Sequence, residues 1–131
     1  MTANLDVVRS IFARWEQGDW QESAWADPEI EFVIADGPDQ RSITGTDAMA
    51  RTWRGFLTAW TDYAITAEEI RELDGDRVYV RLRASGRGKA SGAQIGLEQG
   101  ANIFHIHEGT VRRLAIYFNY RNALDELGLV E

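Results

Sequence analysis

His105 and His107 are the only histidines in the chain, and on a strand their i, i+2 spacing turns both rings toward one face. Two imidazoles are two of the three or four ligands that a metal site needs, and no nearby Asp, Glu or His completes the set on that face. No metal is expected, and the pair reads as a polar end of a sheet face. Glu98 is the carboxylate that the strand pattern places among polar and aromatic neighbours, across from Arg83 or Arg81. Desolvated, it is a candidate general base; paired with arginine it is a structural ion pair, which is the more frequent case. Asn102, Tyr117 and Asn119 add two amides and a phenol, groups that orient a ligand oxygen without moving a proton. The absence of cysteine removes thiol nucleophiles and thiolate metal sites. No Ser-His-Asp arrangement is evident, and Gly86-Arg87-Gly88 lacks the strand-then-helix setting of a phosphate loop. No cofactor is expected.

These residues need strands to hold them, and residues 76 to 120 read as a three-stranded meander. Glu108-Gly109 forms a two-residue loop between His107 and Thr110. Without a bulge, His105 then pairs with Arg112, Ile103 with Leu114, Asn102 with Ala115 and Glu98 with Asn119. The first hairpin turns within Gly86 to Gly92, and a symmetric closure pairs Arg83 with Glu98 and Tyr79 with Asn102. One face then collects Val78, Val80, Leu82, Ile103, Leu114, Ile116 and Phe118. The other collects Tyr79, Arg81, Arg83, Glu98, Asn102, Phe104, Tyr117 and Asn119, and is the expected pocket face. The apolar face becomes a candidate homodimer interface.

Leu5, Val8, Ile11, Phe12 and Trp15 lie at helical spacing over residues 4 to 17, with Asn4 as a plausible N-cap and Gly18 as a stop. Asp19 to Trp25 reads as a short second helix ended by Asp27-Pro28. Glu29 to Ala35 alternates as a strand, with Arg41 to Thr44 its returning edge. Thr46 then caps a helix whose stripe of Met49, Trp53, Phe56, Leu57 and Trp60 is unusually aromatic. Such a stripe fills a core, or lets Trp53 and Phe56 roof a flat apolar ligand. Asp62 to Leu73 reads as a strand with a bulge between Ile65 and Ile70, and Asn122 to Leu127 as a closing helix stopped by Gly128.

At 131 residues the chain reads as one domain, residues 1 to 131. Its 21 acidic against 14 basic residues give a net charge of −7, which argues against nucleic-acid and anionic-membrane partners. No apolar run resembles a signal peptide or a membrane span, so a cytoplasmic location is expected.

Gly18-Asp19, Asp27-Pro28, Thr44-Gly45-Thr46, Gly75-Asp76-Arg77-Val78, Glu108-Gly109-Thr110-Val111 and Tyr117-x-Asn119, in this order, resemble the SnoaL-like polyketide cyclase group within the superfamily of nuclear transport factor two and ketosteroid isomerase. The resemblance covers nearly the whole chain. It implies an α+β fold, a cone-shaped curved mixed β-sheet wrapped by N-terminal helices and enclosing a pocket, often as a dimer. The helix-one tyrosine of the isomerases falls on Ile11, their general base near Val33 and their second oxyanion acid on Asn102, while the acidic residue of the cyclases falls on Asn119. Neither an aliphatic side chain nor an amide relays protons at these positions. The expected site is therefore a pocket walled by Trp15, Trp53, Phe56, Phe104 and Tyr117 and polarised by Tyr79, Arg83, Glu98, Asn102 and Asn119. It suits a small apolar or oxygenated ligand of polyketide, steroid or terpenoid type, with isomerase, cyclase or hydrolase chemistry left open. The alternative is a noncatalytic dimeric module that binds a protein partner and whose cavity is filled.

Overall fold

The apolar stripe of the first helix, α1 (Ala3–Glu16), buries Val8, Ile11, Phe12 and Trp15, a spacing that lines one helix face. In this computed structural model, residues 3–20, 23–37, 39–88 and 94–129 are described, with the backbone alone for 94–98. Asn4 lies inside α1, not at its cap, and its Nδ2 donates to the Gly75 carbonyl at 2.7 Å. At the other end Gly18, with φ 82°, donates to Trp15 O at 2.9 Å, and Asp19 N donates to Arg14 O at 2.9 Å. That pair of bonds is a Schellman closure. Asp19 thus finishes α1 and does not start the expected second helix; the described residues from Asp19 to Trp25 form no helix.

The chain continues through β1 (Ala26–Ile34), β2 (Arg41–Thr44), α2 (Thr46–Thr58), β3 (Trp60–Glu72), β4 (Arg77–Gly88), β5 (Gln94–His107), β6 (Thr110–Tyr117) and α3 (Tyr120–Leu127). The six strands make one mixed sheet in the order β2-β1-β6-β5-β4-β3, with β1 and β6 parallel and every other pair antiparallel. The helix expected to be capped by Thr46 is capped instead by Gly45, whose φ of 100° favours glycine. Glu108 and Gly109 take φ 53° and 78°, the turn expected between β5 and β6. The expected bulge in β3 is present between Ala67 and Glu69. The first hairpin loop lies outside the described residues. No helix among the described residues is long and apolar enough to cross a membrane.

Two further bulges reassign the sheet faces. Ile106 pairs with Val111 but His105 pairs with Arg113, so Arg112 is an extra residue in β6. From there Phe104 pairs with Leu114, Asn102 with Ile116 and Ala101 with Tyr117. In β5, Leu97 pairs with Ala84 and Gly100 with Leu82, so two residues oppose Arg83, and Gln99 takes φ 68°. Tyr79 consequently pairs with Ile103, and Asn102 faces Val80. A one-residue slip exchanges the faces of a strand.

The face beneath α1 and α2 is therefore the one that carries Val78, Val80, Leu82, Phe104 and Leu114, packed with Ile11, Phe12, Trp15 and Phe32. The opposite face carries Tyr79, Ala101, Ile103, Ala115 and Tyr117 under Tyr120, Ala123 and Leu124 of α3. This corrects the apolar band proposed as a dimer surface. Val80, Leu82, Ile103 and Leu114 are 0%, 8%, 2% and 1% exposed within the single chain, and they divide between the two clusters. The α1 and α2 side covers Val80, Leu82 and Leu114, and α3 covers Ile103.

The junction of β6 and α3 is held by Asp36, which accepts from Phe118 N at 2.6 Å, Asn119 N at 3.1 Å and Asn122 Nδ2 at 2.9 Å. Asn119 itself is exposed, and its Oδ1 accepts from Arg121 N at 3.0 Å as the N-cap of α3. Three donors lose their acceptor if Asp36 is truncated, whereas Asn119 supplies one exposed cap. We expect Asp36→Ala to cost about 3 kcal/mol and Asn119→Ala about 1 kcal/mol. Urea unfolding midpoints check the ranking; equal midpoint shifts would contradict it.

Candidate functional site

Between the concave face and the helices lie two adjoining chambers. The inner one, of about 60 Å³, is lined by side chains that include Phe32, Thr52, Trp53, Phe56, Tyr63, Ile65, Leu82, Asn102 and Ile116. The outer one, of about 450 Å³, is lined by residues that include Trp20, Trp25, Met49, Ala50, Arg54, Leu57 and Leu114. Trp15, Phe32, Trp53 and Ile116 line both. The larger volume is in the range of small-molecule sites.

Trp53 is the hub of this wall. Its ring lies 5.4 Å from Trp20, 6.1 Å from Trp15, 6.3 Å from Phe32 and 5.6 Å from Phe56, on which it stacks. The helical spacing of α2 places Trp53 and Phe56 side by side, and Tyr63 closes the cluster with its ring 5.2 Å from Phe56. Gly100 also borders the inner chamber. A Cβ there would stand 3.1 Å from the Tyr117 carbonyl oxygen, so the close approach of β5 to β6 needs glycine.

Asn102 is 3% exposed and its cross-strand neighbours are Val80 and Ile116, whose side chains offer its amide neither donor nor acceptor. Its amide has no hydrogen-bond partner among the described residues, and it borders the inner chamber. Tyr63 is partly buried, and burial pushes its phenol well above the usual range, so it remains an O–H donor at any working pH. Asn102, Thr52, Tyr63 and Tyr117 are the oxygen-bearing side chains among the described residues that line this apolar chamber.

The structure gathers Trp15, Trp53, Phe56, Asn102 and Tyr117 around the chambers and sets Tyr79, Arg83, Phe104 and Asn119 elsewhere. Phe104 lies in the core against Phe12, 6.1 Å ring to ring, and lines neither chamber. Tyr79 is on the opposite face beneath α3, with the Arg71 guanidinium 5.8 Å from its ring. Arg83 projects to solvent and pairs with Glu68 at 3.0 Å. The Glu98 side chain lies outside the described residues. Tyr117 packs with the outer cluster and also lines the inner chamber. Asn119 caps a helix and lines neither chamber. For Tyr79 and Arg83 the cause is the pair of bulges at Arg112 and Gln99, which change which parity points inward, whereas Phe104 faces inward under α1 and packs against Phe12.

Ile11 is core, and Val33 packs with the outer cluster. Tyr63, Thr52 and Arg54 were missed by sequence reasoning. Tyr63 shares parity with the buried Ile65, two residues on, and that was its signal.

His105 and His107 lie on the outer face, away from both chambers, and no group of three or more His, Cys, Asp or Glu residues placed to hold a metal occurs among the described residues. Arg113 Nη1 donates toward His105 Nε2 at 3.5 Å while its Nε pairs with Glu31 at 3.3 Å. Burial, and then the charge of Arg113, hold the His105 imidazole below its usual pKa. The unfolded chain therefore takes up the proton first. This contribution to stability is intact above about pH 6.5 and is lost as pH falls toward the depressed folded value. We expect His105→Gln to flatten the fall in stability between about pH 7 and pH 5. Chemical denaturation of both proteins across that range checks this, and parallel curves would contradict it.

The sequence profile of the SnoaL-like domain matches residues 8–114. Among curated proteins no match was found. Solved structures share the fold at low identity. An NTF2-like protein of unknown function from Burkholderia pseudomallei superposes with a TM-score of 0.78 at 16% identity, covering 95% of this chain and 97% of that one. A candidate polyketide cyclase from Xanthomonas campestris pv. campestris gives 0.73 at 18% identity, with 95% and 96% covered. AclR, a candidate hydroxylase from Streptomyces galilaeus, gives 0.71 at 18% identity, with 100% and 89% covered.

Proposed function

Because the chain belongs to the SnoaL-like domain family, we propose that its two chambers bind one partly flat, oxygenated apolar molecule of polyketide, steroid or terpenoid type. The observation that carries this is Asn102, a buried amide without a partner among the described residues, set in an apolar chamber. Its amide borders the chamber, so a ligand carbonyl or hydroxyl placed there gains a hydrogen bond worth about 1 kcal/mol net. The Tyr63 hydroxyl lines the same chamber as a second donor. At about 60 Å³ this chamber admits the polar end of a ligand, not its ring system. The rings then lie in the outer chamber between Trp15, Trp20, Trp53 and Leu57, where flat apolar area is matched by indole faces. The reading is one of binding and orientation, since amide and phenol hold an oxygen without relaying its proton at neutral pH.

The neutral ketone 2-acetonaphthone tests it, because the tryptophans lining the chambers report occupancy by fluorescence quenching. We expect saturable binding, weakened roughly tenfold in Asn102→Leu. The same substitution should leave 2-ethylnaphthalene, which lacks the oxygen, bound as before and should not lower the unfolding midpoint. Unchanged ketone affinity in Asn102→Leu would remove the basis for the proposal.

A further inference from the structure

Arg54 is a charge on an apolar stripe. Ala50, Trp53, Arg54 and Leu57 fall at i, i+3, i+4 and i+7 of α2, one helix face, and all four line the outer chamber. Arg54 is the one charged side chain among the described residues that line it. It is exposed, and it has no ion pair or hydrogen bond among the described residues. Arg71, Arg77, Arg83 and Arg113, by contrast, each have a carboxylate within 3.3 Å.

We propose that the ligand carries a carboxylate at the end remote from the oxygen held by Asn102, and that Arg54 receives it. This rests on the binding reading above and names the ligand class further, as an amphiphilic acid with a rigid apolar body. Guanidinium matches a carboxylate with two parallel hydrogen bonds, which a point charge does not. Arg54 meets both the chamber and solvent, so the acid head stays hydrated while the rings are buried. The chain as a whole carries −7 and repels anions, and so a preference for an acid has to come from a local cation.

The test compares 2-acetonaphthone with 6-acetyl-2-naphthoate, which adds a carboxylate to the far end of the same ketone. Wild type is expected to bind the acid about fivefold more tightly, the size of a partly exposed ion pair. Arg54→Gln should erase that preference, so that the two probes bind alike, Arg54→Lys should keep part of it, and about 1 M salt should narrow it. Arg51→Gln, an exposed cation one turn earlier on α2 that lines neither chamber, controls for overall charge. Equal binding of the two probes to wild type would overturn the anion assignment while leaving the binding reading intact. So would a preference that survives Arg54→Gln. If neither probe binds, both fall.

Discussion

Arg112 is one residue too many for the β5–β6 ladder, and the inner wall of the molecule depends on where that excess is absorbed. Between Val111, opposite Ile106, and Arg113, opposite His105, the strand bulges, and every residue beyond it changes sides. Leu114 and Ile116 turn inward beside Phe104 and Asn102, so the chambers gain an aliphatic wall. Arg113 turns outward, where Glu31 and His105 meet its guanidinium. Without the bulge Arg113 would fall opposite the buried Phe104, and its charge would leave water at a desolvation cost of several kcal/mol. The second bulge, at Gln99, does the same for the far half of β5, and it leaves Gly100 pressed against the Tyr117 carbonyl.

What the sequence made legible follows from this. Turns and helix stripes depend on neighbours a few residues away, and the Glu108-Gly109 loop, the stripe of α1, the β3 bulge and the Gly128 stop were readable for that reason. Which face of β6 points inward depends on a residue with no turn chemistry of its own. Arg112 and Arg113 read alike, and nothing local says which is skipped. The unbulged register therefore inverted the strand pairing, placing Tyr79 and Arg83 in the pocket and Leu114 outside. Asn119 is a different case. Asparagine is a preferred N-cap, and a helix starts one residue later, so its structural role was visible and was outweighed by the family resemblance. Asp19 was ambiguous in the same way, since a residue that can start one helix can also follow the glycine that ends another.

The aromatic residues were legible as a stripe but not as a partition. Periodicity places Trp53 and Phe56 on one face of α2, whereas the division into two chambers arises where Trp53 meets Trp15 and Trp20, which come from α1 and the segment after it. Rigid indole and phenyl rings that meet edge to face cannot collapse into the space between them as aliphatic chains do. Space therefore remains on both sides of Trp53, beside Asn102 on one side and Arg54 on the other.

That arrangement sorts polar groups by how much water they need. An amide and a phenol do not change charge at neutral pH and tolerate the apolar inner chamber without the desolvation cost of an ion. A carboxylate at the position of Asn102, between Val80 and Ile116, would have its pKa raised by desolvation and would make any binding there pH-dependent. With asparagine the inner chamber is indifferent to pH, and the titrating imidazole of His105 is kept on the opposite face beside Arg113. Permanent charge appears only at Arg54, where the outer chamber meets solvent and a guanidinium keeps its hydration. Polarity thus rises from a neutral hydrogen-bonding end to a charged one across a span of tryptophan faces.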